Sequence, residues 1–326
     1  MMLGDIFKLF FENKKAAIGF FILLFFVGIA ILAPVLAPYD PKANKIEQVE
    51  ILETDRGRRK TVERENISEF EERRVYTQEE TTTYEQYTKK FPLNDSPSKE
   101  HYFGTTQSGQ DIFSQVIWGT RITLSVGIGT GLFTTFIALT LALLAGYFGG
   151  VVDDVISLFT NVFLVIPGLP LMIVIAAYIT VKGVMPIVLI LALTSWPWPT
   201  RLLRSQVVSL KNRDFVRVSK SLGEKPLYII FNEMLPNMIS LVMASFFQTT
   251  MAAIIGEATL EFLGLGNVSI VSWGTILYWA QNNGALLSGA WWWFLPPGIA
   301  IALIGTSFAM MNFAVDEISN PKLRKR

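Results

Sequence analysis

Six long stretches of this chain carry almost no charge, and that single feature leaves few folds open to it. They run at about Ala16–Leu36, Ile122–Tyr147, Val155–Thr180, Val184–Thr200, Asn237–Leu260 and Trp291–Ala314. Uncharged apolar runs of about 18 residues or more read as membrane spans, because lipid offers no partner to backbone N–H and C=O groups and a helix pairs them internally. The third run is expected to bend at Pro167 and Pro170; the fourth carries Pro186, Pro197 and Pro199, the sixth Pro296 and Pro297. Proline frees carbonyls that neighbouring helices must satisfy, so the pattern predicts a packed bundle rather than separate anchors. Gly127, Gly129 and Gly131 in the second run predict close backbone approach. The first run follows Lys14 and Lys15 as a signal peptide would, but its about 20 apolar residues exceed a signal core and predict an uncleaved anchor.

The expected fold class is an all-α polytopic membrane protein with six spans. Leu3, Ile6, Phe7 and Phe10 recur at helical spacing and predict a cytoplasmic interfacial helix over residues 1–15. The first span is 16–36, an extracytoplasmic segment covers 37–121, and a five-span core covers 122–314. That core includes a cytoplasmic loop, 201–236, and a cytoplasmic tail, 315–326, follows it. Orientation comes from Lys and Arg, which gather in the N-terminus, the 201–236 loop and the tail, all on one side of six spans; that side is cytoplasmic. Trp196, Trp198, Trp273, Trp279 and Trp291–Trp293 suit interfacial belts, with ordinary core packing as the alternative. Roughly half of all charged residues fall within 41–100, where acidic residues slightly outnumber basic ones. This insert, about 42–100, reads either as a small β-hairpin, on the alternating runs Lys60–Arg64 and Val75–Tyr87, or as a solvated loop.

Composition removes most chemistry. There is no cysteine and a single histidine, His101, so thiol catalysis, thiolate metal sites and a histidine-based metal site have no ligands. No phosphate-binding loop, dinucleotide-binding glycine pattern, H-E-x-x-H or G-x-S-x-G is present. No catalytic residue and no metal ligand is assigned, and no cofactor is expected on this chain. Ionisable residues within the spans are almost nil, so an ion-coupled carrier has no obvious proton relay. If transport is active, a partner must supply the energy.

The informative segment is the cytoplasmic run from Lys211 to Pro226. Phe215, Val218 and Leu222 sit at i, i+3 and i+7, one face of a short helix. Asp214 lies near its positive start and Lys220 near its negative end; Gly223 is the expected stop and Pro226 forbids continuation. A second short helix, Leu227–Leu235, leads to Pro236 and the fifth span. The apolar face fits a groove on a soluble partner or the bilayer surface.

This loop resembles the coupling motif of ABC importer membrane subunits: E-A-A, three residues, G, nine residues, I, one residue, L-P. Gly223 and Leu235-Pro236 match it, while Arg217-Val218-Ser219 stands at E-A-A and Glu233 at the isoleucine. Further segments resemble the C-type permease of the dipeptide/oligopeptide branch: Leu36-Ala37-Pro38-Tyr39-Asp40-Pro41, Phe103-Gly104-Thr105-Thr106, Ser108 to Ser114, Gly146 to Gly150, Glu257-Ala258, Phe262 to Gly266, Ser272-Trp273-Gly274 and Asn320 to Arg324. They run in order through nearly the whole chain except 42–100. Gln110, where the family usually has Arg, and the length of the insert are departures.

The resemblance implies a type I ABC importer-like transmembrane domain in the plasma or inner membrane of a prokaryote. Its partners would be a second homologous permease subunit, two cytoplasmic ATPases that bind ATP and magnesium, and an extracytoplasmic solute-binding protein. The cargo implied is di- or oligopeptides, with oligosaccharides or nickel as alternatives; an ATP-independent channel or ion-coupled carrier is the alternative of another class. Coupling to the ATPase is assigned to Asp214, Phe215, Arg217, Val218, Ser219, Leu222, Gly223, Leu235 and Pro236. Candidates for the pathway or its gate are Asp111, Arg121 and Glu257, each weighed against a role in the fold; Asp111 and Arg121 flank the second span and are read as a candidate pair.

Overall fold

A computed structural model describes residues 13–42, 50–55, 58–62, 83–87 and 94–319, with side chains left aside in the strands and beyond residue 315. The expected interfacial helix and most of the cytoplasmic tail lie outside the described residues.

The helices are α1 (Lys14–Leu36), α2 (Ile112–Phe148), α3 (Gly150–Val165), α4 (Gly168–Tyr178), α5 (Val184–Ser195), α6 (Pro197–Lys211), α7 (Asp214–Ser221), α8 (Pro226–Tyr228), α9 (Leu235–Phe262), α10 (Trp273–Asn282) and α11 (Trp291–Ser319). A π-helical turn, Ile229–Met234, joins α8 to α9. Four helical runs are long and apolar enough to cross a membrane unaided: α1, α2, Pro226–Phe262 and Trp291–Val315.

The third expected span is bent, as its prolines predict, and the fourth is divided. The third is α3 and α4 meeting at 91° across Ile166 and Pro167. Proline disfavours helical geometry in the residue before it, and Ile166 is extended, at φ −72° and ψ 126°. The fourth is the short helix α5, continued through Trp196, which keeps helical angles, into α6. Hydropathy alone cannot see such breaks, since the residues on both sides are equally apolar.

The second helix starts at Ile112, ten residues before its apolar run. Asp111 caps it, its carboxylate accepting from the Ser114 N–H and hydroxyl, both at 2.7 Å. Helix α10, in the 261–290 loop, was not anticipated; Ser272 and Thr275 form a reciprocal capping box at its start. Trp273 and Trp293 are buried in the core rather than in a belt, whereas Trp198, Trp279 and Trp291 are exposed. Trp273 meets Phe26 of α1 edge-on, and its indole N–H donates to the Val116 carbonyl at 3.0 Å.

The anchor is part of the bundle, not an appendage. Its Gly19 carbonyl accepts from Ser307 Oγ of α11 at 2.6 Å, and Phe26 joins the cluster built around Trp273, Ile304 and Phe308. The insert holds three antiparallel strands: β1 (Glu50–Asp55), β2 (Arg58–Val62) and β3 (Thr83–Tyr87), in the order β2-β1-β3. Ile51 pairs with Val62 and Asp55 with Arg58, while Glu50 pairs with Tyr87 and Thr54 with Thr83. Among the described residues of the insert the sheet is one strand larger than a hairpin; its central strand, β1, lacks a clean alternation.

Candidate functional site

Helix α7 presents two faces. Val216, Ser219 and Lys220, at i, i+3 and i+4, turn towards the protein. Val216 has no exposed surface and packs with Leu203, Val207 and Leu210 of α6 and with Ile229 and Ile230. The neighbouring face carries Phe215, Val218 and Leu222, exposed by 41%, 56% and 77%. The spacing that singled them out thus marks a surface with no cover among the described residues. Asp214 and Arg217 are exposed beside it, and Leu227, Tyr228 and Phe231 continue the apolar surface.

The helix ends as the sequence requires. Gly223 adopts φ +79°, its N–H donates to the Lys220 carbonyl at 3.1 Å, and the Glu224 N–H reaches back to Ser219 at 3.1 Å. These are the two bonds of a Schellman turn, which needs a residue in the left-handed region. Leu235 and Pro236 then open α9 directly from the π-helical turn, and proline, with no N–H, cannot close an i→i−4 bond there.

Two side chains on the inner face bind the long helices. Ser219 Oγ donates to Glu233 Oε1 in the π-helical turn and also reaches the Phe215 carbonyl at 3.1 Å. Lys220 Nζ lies 4.8 Å from the centroid of the Tyr147 ring at the end of α2. Desolvation there, together with nearby Lys211, lowers the Lys220 pKa from its ordinary value. Val216, Tyr147 and the role of Glu233 were not legible beforehand; the only signal was Glu233 itself, a charge where a motif expects an apolar residue.

On the same side, Arg204 of α6 grips Asp153 of α3 through two hydrogen bonds. Both side chains are partly exposed, which limits the pair to about 1 kcal/mol despite its two-pronged geometry. Asp153→Asn is expected to lower stability by about that much, and a thermal melt in detergent reads it.

The three candidates for the pathway or its gate do not converge. Asp111 is a buried helix cap that also holds His101 Nδ1 at 2.9 Å. Arg121 is exposed over the Trp118 ring at 5.2 Å, so the two do not pair. Glu257 has no exposed surface and accepts from Thr123 Oγ1 at 3.3 Å, between α9 and α2. Lys182 donates to the carbonyls of Ala176 and Leu265 at 3.2 and 2.6 Å and ties the loop before α5 to the end of α4 and to the loop after α9. A cavity of about 340 Å³ lies where the bent pair, the α5–α6 joint and α9 meet; Met172, Thr194, Trp198, Ser245, Gln248 and Thr249 help line it.

Residues 138–325 match the family of binding-protein-dependent transport system inner membrane components, and residues 2–54 match the N-terminal TM domain of oligopeptide transport permease C. The dipeptide transport system permease protein DppC of Bacillus subtilis is 30% identical over 319 residues, 96% of this chain and 84% of that protein. The oligopeptide transport system permease protein OppC of the same organism is 32% identical over 231 residues, 70% of this chain and 74% of that one. The glutathione transport system permease protein GsiD of Pectobacterium atrosepticum is 33% identical over 233 residues, 71% and 76% of the two chains. Among solved structures, an inward-facing MetNI methionine ABC transporter chain superimposes with a TM-score of 0.51 over 64% of this chain and 94% of that one, at 17% identity, a likeness of fold. The motif order noted in the sequence, the apolar bundle and these two matches together make this chain a member of the family of binding-protein-dependent transport system inner membrane components.

Proposed function

We propose that this chain is one of two membrane subunits of an ATP-driven importer of di- and oligopeptides, with both termini in the cytoplasm. The single observation that carries the reading is the ridge of Phe215, Val218 and Leu222, apolar and exposed on a helix that is itself pinned to the bundle by Val216. A rigidly held apolar ridge outside the spans suits a groove on a soluble partner, and two ATPases with bound ATP and magnesium are that partner. Their closure pushes α7, and the long helices follow by alternating access. The peptide cargo rests on the names of the relatives, dipeptide and oligopeptide permeases. The cavity beside Trp198 and Gln248 is a candidate stretch of the route, completed by the second permease subunit. An extracytoplasmic solute-binding protein delivers the cargo.

The test is purification of the tagged chain in mild detergent from native membranes. Two ATPase subunits and a homologous membrane subunit are expected to follow it. Leu222→Asp is expected to weaken ATPase retention by about 30-fold, the effect of losing about 2 kcal/mol at a contact hot spot. A chain that purifies alone, or a Leu222→Asp variant that holds its ATPases as well as wild type, would overturn the docking role.

A further inference from the structure

Where the coupling motif of related subunits has Ala and Ile, this chain has Ser219 and Glu233, and the structure puts those two departures in direct contact: Ser219 Oγ donates to Glu233 Oε1. The glutamate is the departure that depends on the other. A carboxylate at position 233 is half-buried at the foot of α9, and its Oε2 is buried with no hydrogen-bond partner among the described residues. Losing the bond to the other oxygen would leave both oxygens without a hydrogen-bond donor. A serine at 219 already has the Phe215 carbonyl as an acceptor and needs no carboxylate. The serine therefore serves the glutamate, and the pair reads as one replacement of an apolar contact by a polar one.

Its place in the chain gives the contact a task. Glu233 lies in the π-helical turn between Pro226 and Pro236, where the i→i+4 ladder is interrupted and the helix is easiest to bend. Between Ser219 and that turn the chain reverses through the left-handed Gly223, so α7 and the turn are joined along the chain only through a connecting loop. The hydrogen bond bridges that loop. The next residue, Lys220, meets Tyr147 at the end of α2, so neighbouring residues of α7 each hold one of the two long central helices.

We propose that Ser219 and Glu233 are positioning residues that form a link across the π-helical turn, by which movement of α7 is passed to α9 rather than absorbed by the turn. The proposal rests on the reading of α7 as the ATPase-docking helix. Its test is a double-substitution cycle on the full complex with its binding protein in proteoliposomes, supplied with a labelled mixture of short peptides. ATP consumed per peptide imported is the first readout, and hydrogen exchange of the 214–223 amides in the purified chain is the second.

Ser219→Ala should raise both by about five-fold, in line with interaction energies of about 1 kcal/mol between contacting residues. Ser219→Thr and Glu233→Gln, which keep a donor and an acceptor, should stay near wild type. The paired change Ser219→Ala with Glu233→Ile, which exchanges the link for an apolar contact, should recover most of the loss in both. A Ser219→Ala chain with wild-type exchange and stoichiometry, or a paired variant no better than the single one, would overturn the link. A purely local stabilising role would move exchange and leave the ATP ratio alone, which also overturns it. If the wild-type complex imports no peptide, the importer reading fails instead, and the contact is judged by the exchange cycle alone.

Discussion

Replacing Gly223 with proline is expected to abolish ATP-driven uptake while the chain still inserts in the membrane in normal amounts. At φ +79° this residue holds a conformation that proline, fixed near −65°, cannot adopt. Proline also lacks the N–H that reaches Lys220, and a turn that opens loses the Glu224 bond to Ser219 as well. The penalty is local to the backbone. A Cβ built on Gly223 meets nothing within 4 Å, so side-chain crowding plays no part. That separates the turn from every steric explanation and predicts a graded series. Asparagine, which tolerates the left-handed region, should be nearly harmless. Alanine should cost about 1 kcal/mol and valine more, with proline at about 3 kcal/mol or beyond. Peptide uptake in whole cells, normalised to chain abundance, should fall in that order. Asparagine as damaging as proline would mean that position 223 matters through a partner contact and not through the turn.

The same region shows what a sequence can carry and what it hides. The ends of α7 were legible because capping chemistry is local: Asp214, Gly223 and Pro226 declare a start and a stop without reference to anything distant. The outward ridge was legible because helical period fixes which residues share a face. The inward face was not, since Val216 is one apolar residue among polar ones, and only the placement of α6 and the π-helical turn against it makes it an anchor. The spans followed the same division. Apolar length gave α1, α2, α9 and α11, and Pro167 marked the bend of the third span, but the size of that bend, 91°, and the division of the fourth span at Trp196 depend on packing that hydropathy does not encode. The pathway candidates fared worst. Asp111, Arg121 and Glu257 were singled out as charges near span ends, and that signal cannot tell a helix cap from a gate; the structure joins Asp111 to Ser114 and His101 and encloses Glu257 beside Thr123. Glu233 is a different kind of miss. It read as a lone departure from a motif, and only its contact with Ser219 turns two departures into a pair.

Widening Gly131 is expected to be the most damaging single change to the bundle itself. In lipid there is no hydrophobic drive between helices, so α2 and α9 hold together by close backbone approach and small side chains. A Cβ on Gly131 would overlap Thr250 Oγ1 and come within 3.1 Å of Thr250 Cβ and 3.2 Å of Phe246 Cε2. Neither neighbour can easily retreat, because Thr250 is fully buried in the helix interface. Gly131→Leu should therefore cost about 3 kcal/mol or more and lower the melting temperature in detergent by roughly 5 °C. The cause can be isolated through Thr250, whose buried hydroxyl has no hydrogen-bond partner among the described residues. Thr250→Ala removes that unpaired group and should be close to neutral. In its background Gly131→Ala should lose most of its own penalty, a departure from additivity expected only of groups that collide. If Gly131→Ala by itself melts like wild type, the two helices can part without penalty, and their union must depend on the interlocking of Thr135 with Thr249 and of Thr123 with Glu257 instead.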